Sequence, residues 1–171
     1  SRSSCMKKAT NFVSMEELSP IIESVINSGG DAILCVTGNS MLPLWRDRHN
    51  NVVLTACDVN KLKVGDIPLY KRENGQYVLH RIVNVNDDSF DLLGDAQWWL
   101  EKGLDKNRVI AVTKGYYTEK GKYVSCDSFR QKLYFKLWSA LLPVRALVLK
   151  VYRRTILALK IRNDRNRKNE G

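Results

Sequence analysis

The stretch LYKRENGQYVLHRIV, residues 69 to 83, constrains the fold more than any other part of the chain. Two runs of alternating apolar and polar residues flank Asn74-Gly75, a pair that supplies the positive φ angles of a two-residue type I′ turn. The expected product is a β-hairpin. Side chains alternate along a strand, so Tyr77, Leu79, Arg81 and Val83 share one face of the second strand, and Val78, His80 and Ile82 share the other. His80 is thereby set among apolar neighbours.

Similar short runs recur on both sides of the hairpin. AILCVTG, NVVLTA, DIPLYKR, SFDLLG and RVIAVTKGYY are rich in Val, Ile, Leu and Tyr and are separated by turn residues, which predicts a mainly antiparallel sheet. Pro68 within DIPLY lacks a donor and points to an edge strand or a bulge. Ahead of the sheet, SMEELSPIIESVIN places Leu18, Ile21, Ile22, Val25 and Ile26 at helical spacing, and Gly29-Gly30 ends the pattern. Pro20 belongs in the first turns or at a kink, so this helix is expected to start after Ser14. From Phe129 the texture changes to helix formers, aromatics and regularly placed bases, broken once at Pro143, which predicts two helical pieces. The fold class is α+β: a mainly antiparallel β core with an N-terminal helix and a basic amphipathic C-terminal helical segment. The expected divisions are a tail over 1–13, one domain over 14–128, the basic segment over 129–163 and a disordered end over 164–171. A length of 171 residues with 44% hydrophobic content suits one such core.

The formal net charge is +10. Residues 129 to 171 hold twelve basic and two acidic residues, so the whole excess lies there and residues 1 to 128 are neutral. Three readings of this segment stay open. As an interfacial helix it would bury Trp138, Leu141, Leu142, Val148 and Leu159 in an anionic bilayer surface, with Arg145, Lys150, Arg153 and Arg154 among the bases meeting headgroups. As a structural element it would cover the β core or a partner protein. As a nucleic-acid contact it would track phosphates, a reading disfavoured by its large apolar face. The bilayer reading leads. Arg145 and Lys150 interrupt the apolar run, so a spanning helix is not expected. No apolar signal region precedes the core, and the chain as given is not expected to export itself. Cys5, Cys35, Cys57 and Cys126 are widely spaced without a Cys-x-x-Cys pair, which indicates neither a zinc site nor a disulfide framework and fits a reduced cytosolic setting. No metal or cofactor is expected.

Four short pieces carry chemistry by their order: GNSMLP at 38–43, VGDIPLY at 64–70, YVLHRIV at 77–83 and LLGDAQ at 92–97. Taken singly they are bland. A serine after Gly-Asn is usually a turn residue, and a histidine on an apolar strand face is usually a satisfied core residue. Together they resemble the serine peptidase superfamily of signal peptidases and self-cleaving SOS-type repressors, over roughly residues 31 to 115. The resemblance implies a signal-peptidase-like catalytic core with Ser40 as nucleophile and His80, in the place of the more common lysine, as its base. Histidine suits the task, since its ordinary pKa near 6.5 leaves it largely neutral at cytosolic pH. His49, in the charged run WRDRHNN, reads as a surface residue.

A catalytic imidazole needs a partner on its second nitrogen. The family's Gly-Asp motif gives Asp95 as that acid, and a second family aspartate six residues further on corresponds to Glu101, the second candidate. Main-chain donors around the nucleophile would form the oxyanion hole, first the Ser40 amide, with Gly38 allowing the tight turn. Met41, Leu42 and Pro43 would seat that turn on the core. The chain departs from its relatives in RDRHNNVVL, where Asn50 and Asn51 stand in place of an acid. Relatives bind substrate as an added strand, and the candidate edges are DIPLY and the segment before Ser40. The implied activity is endoproteolysis of a peptide or protein precursor, such as the leader of a small ribosomally made peptide, at the cytoplasmic side with peripheral attachment to the inner membrane surface. A non-catalytic peptide-binding scaffold and a self-cleaving regulator are the alternatives.

Overall fold

Ile22 and Ile26, one turn apart on helix α1 (Met15–Asn27), are buried in an apolar cluster with Trp45, Leu54, Leu69 and Ala111. The computed structural model describes residues 15–97, 99–140, 144, 147, 151 and 154. The expected tails at 1–13 and 164–171, and Leu141, Leu142, Arg145, Lys150 and Arg153, lie outside them. Helix α1 begins at Met15 with Pro20 inside it. The proline ring nitrogen cannot donate to the carbonyl one turn back, a loss offset by the apolar face that the helix buries.

The strands are β1 (Ala32–Cys35), β2 (Asn51–Thr55), β3 (Pro68–Lys71), β4 (Tyr77–Leu79), β5 (Arg81–Val85), β6 (Ser89–Leu93), β7 (Glu101–Asp105), β8 (Val109–Tyr117) and β9 (Tyr123–Ser125). All pairings are antiparallel. A curled sheet runs β1-β2-β8-β3-β4, with β9 also on β8, and a three-stranded sheet runs β5-β6-β7. The fold is thus α+β, with a second helix, α2 (Phe129–Ala140), closing the described chain. Two apolar clusters sort by strand parity. Leu69, Tyr77 and Leu79 face the α1 side, and Tyr70, Val78 and Ile82 join Phe90, Leu92 and Leu104.

Several expectations need correction. The hairpin turn is a three-residue loop, 73–75: the Arg72 amide donates to the Gln76 carbonyl and the Gly75 amide to the Arg72 carbonyl. Only Gly75 has a positive φ, of 86°, as a type I turn closed by a left-handed glycine requires. The expected single strand YVLHRIV is two, β4 and β5, in different sheets, and His80 is the residue between them. Of the two readings of Pro68, the edge is excluded, since β3 lies between β8 and β4, and the bulge agrees with a register shift between Leu69 and Tyr70. The proline is tolerated as the first residue of its strand, where the Ile67 carbonyl takes the Thr113 amide. Strand β7, EKGLD, carries too little apolar alternation to be recognised in sequence.

Chain contacts divide the protein into one unit through Phe135 and another from Lys136. The first seven residues of α2 therefore belong with the β core rather than with the basic segment. Trp138, expected on a bilayer face, is buried.

Candidate active site

Ser40 sits in the turn that follows β1, and burial of Met41, Leu42 and Trp45 anchors this turn to the core. Gly38 enters it at φ 84°, a conformation that glycine adopts without cost, and the Leu42–Pro43 peptide is cis. The Gly38 amide donates to Asp47 Oδ1 at 2.8 Å. That bond commits the Gly38 N–H to fixing the turn, in keeping with the turn role expected of Gly38, and leaves the Ser40 amide as the oxyanion candidate. Asn50 is buried and braces the loop, accepting from the Arg46 amide at 2.9 Å and donating to the Tyr117 carbonyl at 3.3 Å.

The Gly-Asp motif packs directly on this turn. The Ala96 amide donates to the Ser40 carbonyl at 2.7 Å. A Cβ at Gly94 would lie 2.7 Å from that same oxygen, so only glycine allows the approach. Two motifs separated by fifty residues of sequence are thereby one local structure.

His80 is 1% exposed. It lines, together with Ser40, a cleft of about 550 Å³ whose walls include Leu34, Cys35, Val36, Tyr77 and Leu79. On its other side the Tyr70 hydroxyl lies 3.0 Å from Nδ1 and donates to Glu101 Oε2 at 2.7 Å. Glu101 Oε2 is itself 3.4 Å from Nδ1. Arg72 grips the carboxylate with two bonds, Nε to Oε1 at 2.9 Å and Nη2 to Oε2 at 2.7 Å. A phenol has one proton, and Tyr70 gives it to Glu101, so its oxygen can only accept from His80. The imidazole therefore carries its proton on Nδ1, and the lone pair is on Nε2.

Hairpin register explains why Tyr70 is there. Tyr70 pairs with Val78, and His80, two residues on, shares that face. A two-residue turn would have moved the register by one and turned Tyr70 away. Sequence reasoning missed Tyr70 and Arg72, and the only signal for them was this parity. His49 is half exposed, with Nδ1 2.7 Å from the Asp47 carbonyl, far from this arrangement in role.

Burial pushes the His80 imidazole down to about 4, against the opposing pull of the Glu101 charge. Burial also acts to raise the Glu101 carboxyl, but hydrogen bonds from Arg72 and Tyr70 outweigh it and hold the group below its ordinary value. At neutral pH the site holds a neutral base backed by a carboxylate.

Asp95 does not take the place expected of it. Both its oxygens are engaged by Arg81, Nε to Oδ1 at 3.0 Å and Nη2 to Oδ2 at 2.8 Å, and the Tyr134 hydroxyl reaches Oδ2 at 3.3 Å. Arg81 also donates to the Gly65 carbonyl at 3.0 Å, and its guanidinium lies 5.0 Å from the Phe135 ring. The cause is the break at His80: β5 starts with Arg81 pointing inward, and a buried guanidinium must find an anion. Asp95 is the clamp that joins three of the four motifs, and the carboxylate standing at His80 is Glu101.

No protein-family model, curated protein or solved structure matches the chain. Chemically, the arrangement offers a hydroxyl and a buried neutral base on one cleft, the base oriented from behind by a phenol and an ion-paired carboxylate. Among the described residues no cluster of His, Cys, Asp or Glu could hold a metal ion.

Proposed function

We propose that this cleft is the active site of a signal-peptidase-like serine endopeptidase that cuts a peptide or protein precursor. The observation that carries the reading is the placement of buried His80 on the same cleft as Ser40, with its Nδ1 turned to Tyr70 and Glu101. Ser40 Oγ attacks the scissile carbonyl while His80 Nε2 takes its proton. The imidazolium so formed is stabilised by Glu101 directly and through Tyr70. The tetrahedral oxyanion is held by the Ser40 amide. Collapse breaks the C–N bond, His80 passes its proton to the leaving amine, and water, activated by the same base, releases the acyl group and restores Ser40.

The substrate is bound as an extended strand. Strands β1 and β4 end the curled sheet at its two sides, and residues of both line the cleft, so main-chain groups at either edge can pair with a peptide laid over Ser40. Of the two edges expected from sequence, the segment before Ser40 contains β1, and β4 takes the place of DIPLY, whose strand β3 lies inside the sheet.

The test is incubation of the purified protein with leader-bearing precursors, with the cut bond mapped by mass spectrometry. Specific hydrolysis that disappears in His80→Gln is the expected result. A His80→Gln variant that cuts at the wild-type rate overturns the mechanism and favours a peptide-binding scaffold.

The pH profile gives a second expectation. A base at about 4 is already neutral from pH 6 upward, so kcat/KM is level there and falls as pH drops through about 4. Glu101→Gln removes a charge that supports the imidazolium, so it moves the falling limb to still lower pH and lowers kcat by about 10²-fold or more.

A further inference from the structure

We propose that α2 and the helical residues beyond it form an interfacial element that binds an anionic bilayer surface. Gln131, Tyr134, Phe135 and Trp138 form the covered face of α2. Its open face carries Phe129, 78% exposed, with Leu133 and Leu137, at four-residue spacing. Three such positions fall within about 80° of one another around a helix, a continuous apolar stripe in water. Exposed Arg130, Lys132 and Lys136 flank it. In the second unit Val144, Leu147 and Val151 are also exposed, at spacings of three and four, and Arg154 is exposed too.

Charge decides what covers these stripes. The net charge of +10 lies wholly in residues 129–171, against a β core of no net charge. A surface that combines large apolar side chains with a dense excess of bases matches a bilayer interface, where the apolar groups enter the acyl boundary and the bases meet anionic headgroups. Duplex DNA would meet the bases and leave Phe129, Leu133 and Leu137 in water. The proposed attachment is peripheral, because Arg145 and Lys150 interrupt the apolar run of the sequence.

The experiment is sedimentation of the full chain with phosphatidylcholine vesicles containing about 30% phosphatidylglycerol, against pure phosphatidylcholine. The expected result is pelleting with the anionic vesicles at low salt, with release by added salt as screening removes the charge attraction. Phe129→Glu/Leu133→Glu/Leu137→Glu, checked for retained fold by circular dichroism, lowers the bound fraction about tenfold or more. Protein left in the supernatant with anionic vesicles at low salt overturns the proposal, and this wild-type measurement needs no variant to fold. Equal binding to both vesicle types overturns it as well. So does duplex DNA binding that the triple substitution leaves unchanged while vesicles stay unbound.

Discussion

Ser40→Ala lowers the rate of precursor cleavage by about a millionfold, toward the residual rate that a bound but unattacked peptide bond shows when one member of such a cooperating set is removed. The loss appears in kcat, with KM nearly unchanged, because the substitution leaves the β1 and β4 edges proposed to hold the peptide untouched. Stability moves by no more than about 0.5 kcal/mol, since the side chain is small and only half buried. Chromatographic assay of the products, with thermal melts of both proteins, checks the two halves together. Cleavage within tenfold of wild type would remove Ser40 from the chemistry and leave it as a turn residue.

The second large effect is on folding. Asp95→Ala leaves Arg81, a residue 5% exposed, without the carboxylate that its Nε and Nη2 bond, and breaking such a buried pair from one side costs about 3–5 kcal/mol. A midpoint lower by on the order of 10–20 °C follows. Replacing both partners by apolar residues, Arg81→Met with Asp95→Leu, recovers much of that loss, because the cost comes from the stranded charge rather than from a large net gain in the pair. Calorimetry on the single and double variants gives the comparison. A single variant that melts within 1 kcal/mol of wild type would show that the clamp is not structural. The two acids also differ in degree at the imidazole: both charges favour its protonated form, Glu101 the more strongly, so Glu101→Gln moves the acidic limb of the pH profile further than Asp95→Asn, whose main effect is on the melt.

The parts of this site that were legible in sequence are those that local chemistry dictates. Gly38 and Gly75 announce turns, the apolar run after Ser40 announces its anchor, and the order of four motifs brings Ser40 and His80 to one cleft. The sequence motif favours Asp95 over Glu101 as the acid, whereas in the structure Arg81 takes both Asp95 oxygens and Glu101 stands 3.4 Å from His80 Nδ1, neighbours that are decided at a distance. Asp95 is captured by Arg81, and Arg81 faces inward only because the strand breaks at His80, a break with no glycine or proline to mark it. Tyr70 was hidden for a related reason: one residue more in the hairpin loop changes which face it occupies, and Asn-Gly is compatible with either loop length. Glu101 heads a strand whose sequence, EKGLD, lacks alternation because its side chains are mostly exposed.

His80 occupies the joint between two sheets, and that position divides labour within the molecule. The edges proposed to hold the peptide, β1 and β4, belong to the curled sheet, while Glu101 comes from the other sheet and reaches the imidazole from behind. Under the proposed function, changes at Leu34, Val36 or Tyr77 alter the groove while Arg72 and Glu101 keep the far side of His80 locked. For the proposed enzyme this makes substrate preference and catalytic competence separately adjustable, because they reside in different sheets.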